Sequence, residues 1–267
     1  MREEVLVMRK WTLLAGAFAL VISLPGEALA QTTAVPPVAA PTATGAPATA
    51  PTLDEILAKH LATKGGLEKW KGITSQKMTG VAVTQGFELA LVVYGQRPNL
   101  TRQELTLAVP GQQPQTIVTL FDGTKAWTID PTRGNTTPQE VSAAENAIAA
   151  VQSDFDGVLV DYKAKGYTVT LEAPGTVAGK PAHHLKVARA DVPTQHFYLD
   201  PVTFVEMKIS TEGANASDTE LTDYRDVEGV MVPHVIKISQ AGAVQAELRI
   251  TKVEFNLPLD AALFKAR

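Results

Sequence analysis

Five histidines, His60, His183, His184, His196 and His234, are the side chains in this 267-residue sequence best suited to proton transfer or metal ligation. Their spacing supports neither. No pair stands at the separation that brings two ligands onto one helix face. His183 and His184 are neighbours in a strand-like run, so they point to opposite sides of a sheet. His183 shares its phase with Leu185 and Val187, the pattern of a half-buried, hydrogen-bonded histidine rather than a metal ligand. No Gly-x-Ser-x-Gly elbow, phosphate-binding glycine loop or dinucleotide fingerprint occurs. There is no cysteine, which excludes disulfides, thiolate metal sites, a cysteine nucleophile and a lipid-modified cysteine at an exported terminus. Asp154 and Asp156 fall at an expected helix start, where the helix dipole accounts for them. The expectation is a protein that is not an enzyme and uses no metal or cofactor.

Charge narrows the partners. The 24 basic and 28 acidic residues leave a net charge of −4, and no basic run provides an electrostatic footprint for nucleic acid. Aromatic residues are only 6% of the chain, too few for a base-stacking platform. Apolar residues make up 45%, mostly aliphatic. Where a curved sheet turns such residues inward, the concave side must be filled by helix or left as a cavity for an apolar ligand. A packed core and a cavity that admits acyl chains both fit this composition.

The elements that would position such a face can be read from periodicity. Thr52-Leu53-Asp54-Glu55 is a capping box, Leu53, Ile56, Leu57, His60 and Leu61 share one helical face, and Gly65-Gly66 stops the helix. A short turn, Leu67 to Trp70, leads to Ser75, where the period becomes two. Phe87, Leu89, Leu91 and Val93 alternate with Glu88, Ala90, Val92 and Tyr94. Further strands are expected at 101–109, 116–121 and 125–129, with Asp122-Gly123 as a two-residue hairpin turn.

Thr137-Pro138-Gln139-Glu140 then reads as a helix start. Val141, Ala144, Ile148 and Val151 follow on one face. A second helical segment is expected from Ser153, with Phe155, Val158, Leu159 and Tyr162 at helical spacing and Gly166 as its stop. Strands resume near Tyr167, at 169–173, 182–190, 195–199, 205–209, 220–226, 230–239 and 243–255. A short helix over 260–265 closes the chain. The sum is a mainly β chain with some α: about 11–12 antiparallel strands, an N-terminal helix and a mid-chain helical pair. So many strands curl rather than stay open and flat, and the helices are available to cover the open side.

The first 52 residues read differently. Met8-Arg9-Lys10, the apolar stretch from Thr12 to Leu24 and Ala28-Leu29-Ala30 form an export signal over residues 1–30, cleaved after Ala30. An uncleaved anchor helix is the alternative, but the apolar stretch is short for a bilayer. Residues 31–52 are uncharged and dominated by Pro, Ala and Thr, the composition of a disordered linker. The folding domain is then 53–267. No later apolar run approaches a membrane span, so the mature protein is expected to be soluble and periplasmic.

Gln96-Arg97-Pro98-Asn99-Leu100 and the run from Phe121 to Pro131 (Phe-Asp-Gly-Thr-Lys-Ala-Trp-Thr-Ile-Asp-Pro) resemble the periplasmic lipoprotein carriers, the LolA-like family. The shared order is an Arg-Pro-Asn-Leu strand opening, an Asp-Gly hairpin with a tryptophan (here Trp127), then lid helices. Gly65-Gly66-Leu67, Thr79-Gly80 and the terminal Phe255-Asn256-x-Pro258-x-Asp260 resemble the wider set of outer-membrane lipoprotein-sorting-like proteins. The likeness spans about 53–267 and is strongest over 87–131. Thr101-Arg102 departs from it, since the carriers place aromatics there.

The resemblance implies an unclosed antiparallel β-barrel under a helical lid, with lipid or lipoprotein acyl chains inside. Its partners would be those chains and a sorting component of the inner or outer membrane, and the protein would be a monomer. It implies that Arg97 bonds lid-helix backbone and gates the cavity. On its own residues Arg97 reads rather as a solvated strand-end arginine, and Trp127 as core or cavity wall; the resemblance puts the two readings of Arg97 on a par. The candidate binding residues are Arg97, Phe87, Leu89, Leu91 and Trp127 from the strands. Val141, Ile148, Phe155 and Leu159 join them from the lid. A sensor or scaffold of the same fold that binds a protein partner is the alternative function.

Overall fold

The computed structural model describes residues 50–267; the expected signal and nearly all of the linker lie outside them. Two helices come first, α1 (Leu53–Thr63) and α2 (Leu67–Gly72). The α1 capping box forms as read: the Glu55 N–H donates to Thr52 Oγ1 at 3.3 Å and the Thr52 N–H to Glu55 Oε2 at 2.8 Å. Gly65, at φ 80°, ends the helix.

Fourteen strands then build one antiparallel sheet. The first six are β1 (Ser75–Thr84), β2 (Phe87–Gln96), β3 (Leu100–Leu107), β4 (Gln115–Phe121), β5 (Ala126–Asp130) and β6 (Asn135–Glu140). Helix α3 (Ala143–Gln152) and a run of turns over 153–166 interrupt the series. The strands resume as β7 (Thr168–Leu171), β8 (Gly175–Val177), β9 (Lys180–Arg189) and β10 (Val192–Leu199). They finish with β11 (Glu206–Thr211), β12 (Ser217–Val227), β13 (Val230–Gln240) and β14 (Ala243–Phe255), before a 3-10 turn at Ala261–Phe264.

Strand order is β6-β5-β4-β3-β2-β1-β14-β13-β12-β11-β10-β9-β7, with β8 paired to β9. The first and last strands therefore meet in mid-sheet, and the free edges are β6 and β7. A sheet of this width coils under its own twist, yet no ladder joins the edges: the barrel is unclosed. The segment that crosses from one edge strand to the other is α3 with the turns that follow. Its place in the chain puts it across the opening.

The β1–β14 seam depends on a glycine. The register shifts between Thr79 and Gly80, and a Cβ on Gly80 would sit 2.1 Å from the Arg249 carbonyl oxygen. Only a residue without a side chain lets the strands approach this closely.

Across the ladders Leu91 stands opposite Leu105, which stands opposite Ile117, while Leu89 stands opposite Ala82. These side chains face the concave side, where Trp70, Phe155 and Val160 pack onto them as one core cluster. A second cluster lies over β7, β9 and β10, where Ile56 of α1 and Val158 meet Leu185, Val187 and Leu199. Each large aliphatic or aromatic side chain buried in this way is worth about 1.5–3 kcal/mol. The turn segment thus drives Phe155 and Val160 into one cluster and Val158 into the other.

Four expectations need correction. Residues 137–140 are strand β6, not a helix start; an edge strand tolerates Pro138 because its outer side needs no amide donor. The true start is a second capping box five residues on, with Ser142 as cap and Glu145 as its partner. Residues 153–166 are turns, not the second helix of a pair. Positive φ at Gly157 (75°) and Asp161 (51°) breaks the helical path, and Lys165 locks the turns by pairing with Asp154 and donating to the Gly157 carbonyl at 2.8 Å. The β4–β5 connection is a four-residue loop closed by the Asp122 carboxylate, which accepts from the N–H groups of Thr124 and Lys125, rather than a two-residue turn. The strand count is 14 instead of 11–12, the additions being β6 and the three-residue β8.

Candidate functional site

A cavity of about 270 Å³ separates the turn segment and α1 from the concave face of β10–β14. Its apolar wall comes from Ile209, Leu221, Ile236 and Ile238 on the sheet, with Val158 and Leu159 opposite. Two further recesses flank α3. One, of about 50 Å³, lies between α3 and β3–β5, and Val141 lines it. The other, of about 290 Å³, lies between α3 and β10, and Ile148 lines it. Val151, Gln152, Gln195, Thr211 and Ser217 line both this recess and the main cavity, so the two adjoin at the end of α3. Ligand pockets typically span about 300–1,000 Å³, and these two spaces, of about 290 and 270 Å³, lie near the lower end of that range.

Helix α3 covers this space lightly. None of its residues is fully buried, although Ile148 and Val151 face inward. Its main polar fastening is Asn146, whose Oδ1 accepts from the Ala126 N–H at 2.7 Å and whose Nδ2 donates to the Thr124 carbonyl at 3.2 Å. Just before the helix, the Val141 N–H donates to the Ala126 carbonyl at 3.1 Å. All three bonds lie at the β4–β5 end. At the β10 end, Ile148 and Val151 line the recess.

Arg97 does something other than bond α3. Its Nε donates to the Ile73 carbonyl at 2.6 Å and its Nη2 to the Trp70 carbonyl at 2.8 Å, both at the C-terminal end of α2. Its Nη1 pairs with Asp156 at 2.8 Å, and its guanidinium carbon lies 4.7 Å from the Phe155 ring centre. The neighbouring Pro98 carbonyl accepts from the Phe155 N–H at 3.1 Å. Arg97 therefore ties α2 to the turn segment, and the bond to lid-helix backbone implied by the resemblance is replaced by an ion pair with a lid-segment carboxylate.

The other expected site residues scatter. Leu159 lines the main cavity. Leu89, Leu91 and Phe155 are packed core, on the half of the concave face that Trp70 and Val160 also fill. Phe87 sits at the exposed rim of the β1–β2 hairpin. Trp127 is on the outer face: it stands opposite Leu120, which stands opposite Arg102, out of phase with Leu105 and Leu91. There its Nε1–H donates to Asp122 Oδ2 at 3.0 Å.

A polar group that sequence reading missed closes one end of the cavity. His60 is 2% exposed; its Nδ1 lies 3.0 Å from the Phe204 carbonyl, while its Nε2 faces Glu206 Oε1 at 3.4 Å. Lys64 Nζ lies 3.9 Å from the same Oε1, and the Tyr224 hydroxyl is 3.2 Å from Glu206 Oε2. Burial draws the Glu206 carboxyl upward, but Lys64, His60 and the Tyr224 hydroxyl outweigh it and hold it below the usual carboxylate range. Burial pushes His60 down, more than Glu206 restores. Burial and the adjacent Glu206 both raise Tyr224.

The inward turn of Glu206 has a local cause. Alternation would put it on the face of Lys208, two residues on. A register shift between Tyr198 and Leu199 sets Glu206 opposite the buried Leu199, whereas Lys208 stands opposite Tyr198. No hydropathy pattern announces such a bulge.

Among the described residues no cluster of His, Asp and Glu could hold a metal ion. No protein-family model matches the chain, and no curated protein matches it. Solved structures do. A LolA superfamily protein from Nitrosomonas europaea superposes with a TM-score of 0.54 at 13% identity, covering 81% of this chain and 98% of its own. A structure assigned to an outer membrane lipoprotein-sorting protein domain from Vibrio parahaemolyticus gives 0.55 at 10% identity, covering 79% and 94%. A DUF1329 family protein from Desulfovibrio piger gives 0.50 at 9%, covering 80% and 97%. At such identities the likeness is one of architecture, and in architecture this chain has the LolA-like fold.

Proposed function

We propose that this protein is an exported, periplasmic carrier that holds the acyl chains of a lipid or lipoprotein between the concave sheet and its α3 cover. One observation carries the reading: a cavity of about 270 Å³ with an aliphatic wall lies beneath the turn segment that follows α3, a helix with no fully buried residue. A filled interior would serve a purely structural barrel better, since empty apolar volume costs packing energy. A cover with no fully buried residue suits repeated loading and release.

The fold likeness supports the reading, as do the apolar lining and the export signal expected over residues 1–30. The protein then acts by binding and release, without covalent chemistry, and as a monomer that hands cargo to a membrane sorting partner. Displacement of a neutral fluorescent naphthylamine probe by acyl lipids tests it. Saturable displacement at micromolar lipid is expected. Failure of every acyl lipid to displace the probe, with retention of a protein partner instead, would favour a scaffold or sensor.

A further inference from the structure

The main cavity is not apolar throughout. At its α1 end His60 and Lys64 come from the helix and Glu206 from the start of β11, while the aliphatic wall extends along β11–β13. His60 Nε2 is buried without a hydrogen-bond partner. The Nδ1 contact to the Phe204 carbonyl requires that Nδ1 carry a proton. In the neutral ring Nε2 is then a bare acceptor, on a residue that lines the cavity and set 3.4 Å from a carboxylate oxygen that cannot donate to it. An orphaned buried acceptor of this kind costs about 1–3 kcal/mol, recovered when a donor arrives.

The charges around it decide what donor that is. Asp156 is paired with Arg97 and Asp154 with Lys165, so neither brings a free negative charge to the lining. Lys64 and Glu206 balance each other. The end of the cavity is close to neutral. A fatty-acid carboxylate would meet Glu206, and an alkylammonium would meet Lys64. A hydroxyl fits both neighbours, since it can donate to His60 Nε2 and accept from the Lys64 ammonium.

We infer that the His60–Lys64 end of the cavity is a recognition site for the hydroxyl group of an uncharged acyl lipid, such as a monoacylglycerol, whose chain runs along Ile209, Leu221 and Ile236. This inference rests on the carrier reading and names its ligand class. The groove outside α1, of about 420 Å³, shares His60, Leu159 and Val160 with the cavity, so one side-chain layer separates the headgroup end from that groove.

The test is competition against the neutral naphthylamine probe by four twelve-carbon ligands: 1-monolauroylglycerol, methyl laurate, laurate and dodecylammonium. Monolauroylglycerol should bind about fivefold more tightly than methyl laurate, the effect of one hydrogen bond. In His60→Phe, with folding checked by circular dichroism, that preference should fall to within about twofold of unity. Lys64→Met, at a partly exposed position, should weaken the glyceride more than the ester. On the unaltered protein, the 15N resonance of His60 Nε2 should shift with the glyceride and not with methyl laurate. Equal binding of glyceride and ester, or tightest binding of laurate or dodecylammonium, overturns the hydroxyl site and leaves the carrier standing. No displacement by any of the four removes the carrier reading as well.

Discussion

Asn146 in α3 accepts a 2.7 Å hydrogen bond from the backbone N–H of Ala126 at the start of β5. The same side chain returns a bond to the Thr124 carbonyl, so one residue fastens the covering helix to the β4–β5 loop. At the β10 end, Ile148 and Val151 line the recess between α3 and the sheet. Asn146 thus anchors α3, the flap over the recess, at the β4–β5 end.

Asn146→Ala should free this end of α3. Two bonds are lost and the Ala126 amide is orphaned, a cost of about 1–3 kcal/mol confined to the flap. Amide exchange over 143–152 should accelerate, with exchange in β1, β2 and β14 unchanged. Acceleration throughout the sheet would show that α3 is part of the global folding unit.

Arg97→Leu should act elsewhere. It removes two bonds to the α2 carbonyls and the Asp156 pair, each charge-assisted bond being worth about 1.5–3 kcal/mol when partly buried. Exchange should rise in 67–73 and 153–166, ahead of α3. If α3 exchanges first, Arg97 gates the flap after all.

Gly80→Ala should damage the β1–β14 seam, where the new methyl would meet the Arg249 carbonyl at 2.1 Å. Overpacking usually costs about 1–3 kcal/mol, and a rigid backbone oxygen places this case at the upper end. Urea denaturation measures it. A loss below about 0.5 kcal/mol, typical of neutral surface changes, would mean that the register shift is not needed.

Acidification should destabilise the protein in two steps around the polar end of the cavity. Burial lowers His60 from 6.5, so below that pH the unfolded chain takes up a proton that the folded one refuses, and stability falls. Glu206 is also depressed, from 4.5; its contribution is present above that value and is lost as pH drops through the folded-state pKa. His183 and His184 are lowered too, chiefly by burial, so His60→Phe should shallow the first limb without abolishing it. Denaturation midpoints at pH 7.5, 5.5 and 4 resolve the two limbs. An unchanged slope in His60→Phe would show that His60 titrates normally.

Local signals carried much of this architecture in the sequence. The α1 capping box, the period-two runs and the glycine stops act over a few residues, and the strands they mark are present. The missed features are those where one local pattern competes with another or with tertiary pairing. Residues 137–140 and 142–145 both spell capping boxes, and pairing of Gln139 with Thr128 and of Glu140 with Trp127 settles which one caps. Helical spacing over 153–166 was genuine, but Gly157 and Asp161 break it.

The site was less legible than the fold. Leu159 was placed where the cavity is. Trp127 was not, because its face depends on register across three strands rather than on its own neighbours. Glu206 was hidden by a bulge, and Asn146 by a role that exists only once β5 is beside α3.

The central claim, that the interior binds acyl chains, is tested most directly by native mass spectrometry of the protein recovered from a periplasmic extract, beside an Ile209→Trp variant that fills the cavity. The wild-type chain should carry adducts of acyl-lipid mass that vanish in the variant, while both give the same circular dichroism. Bare polypeptide mass in both, or adducts equally retained by the filled variant, would contradict it.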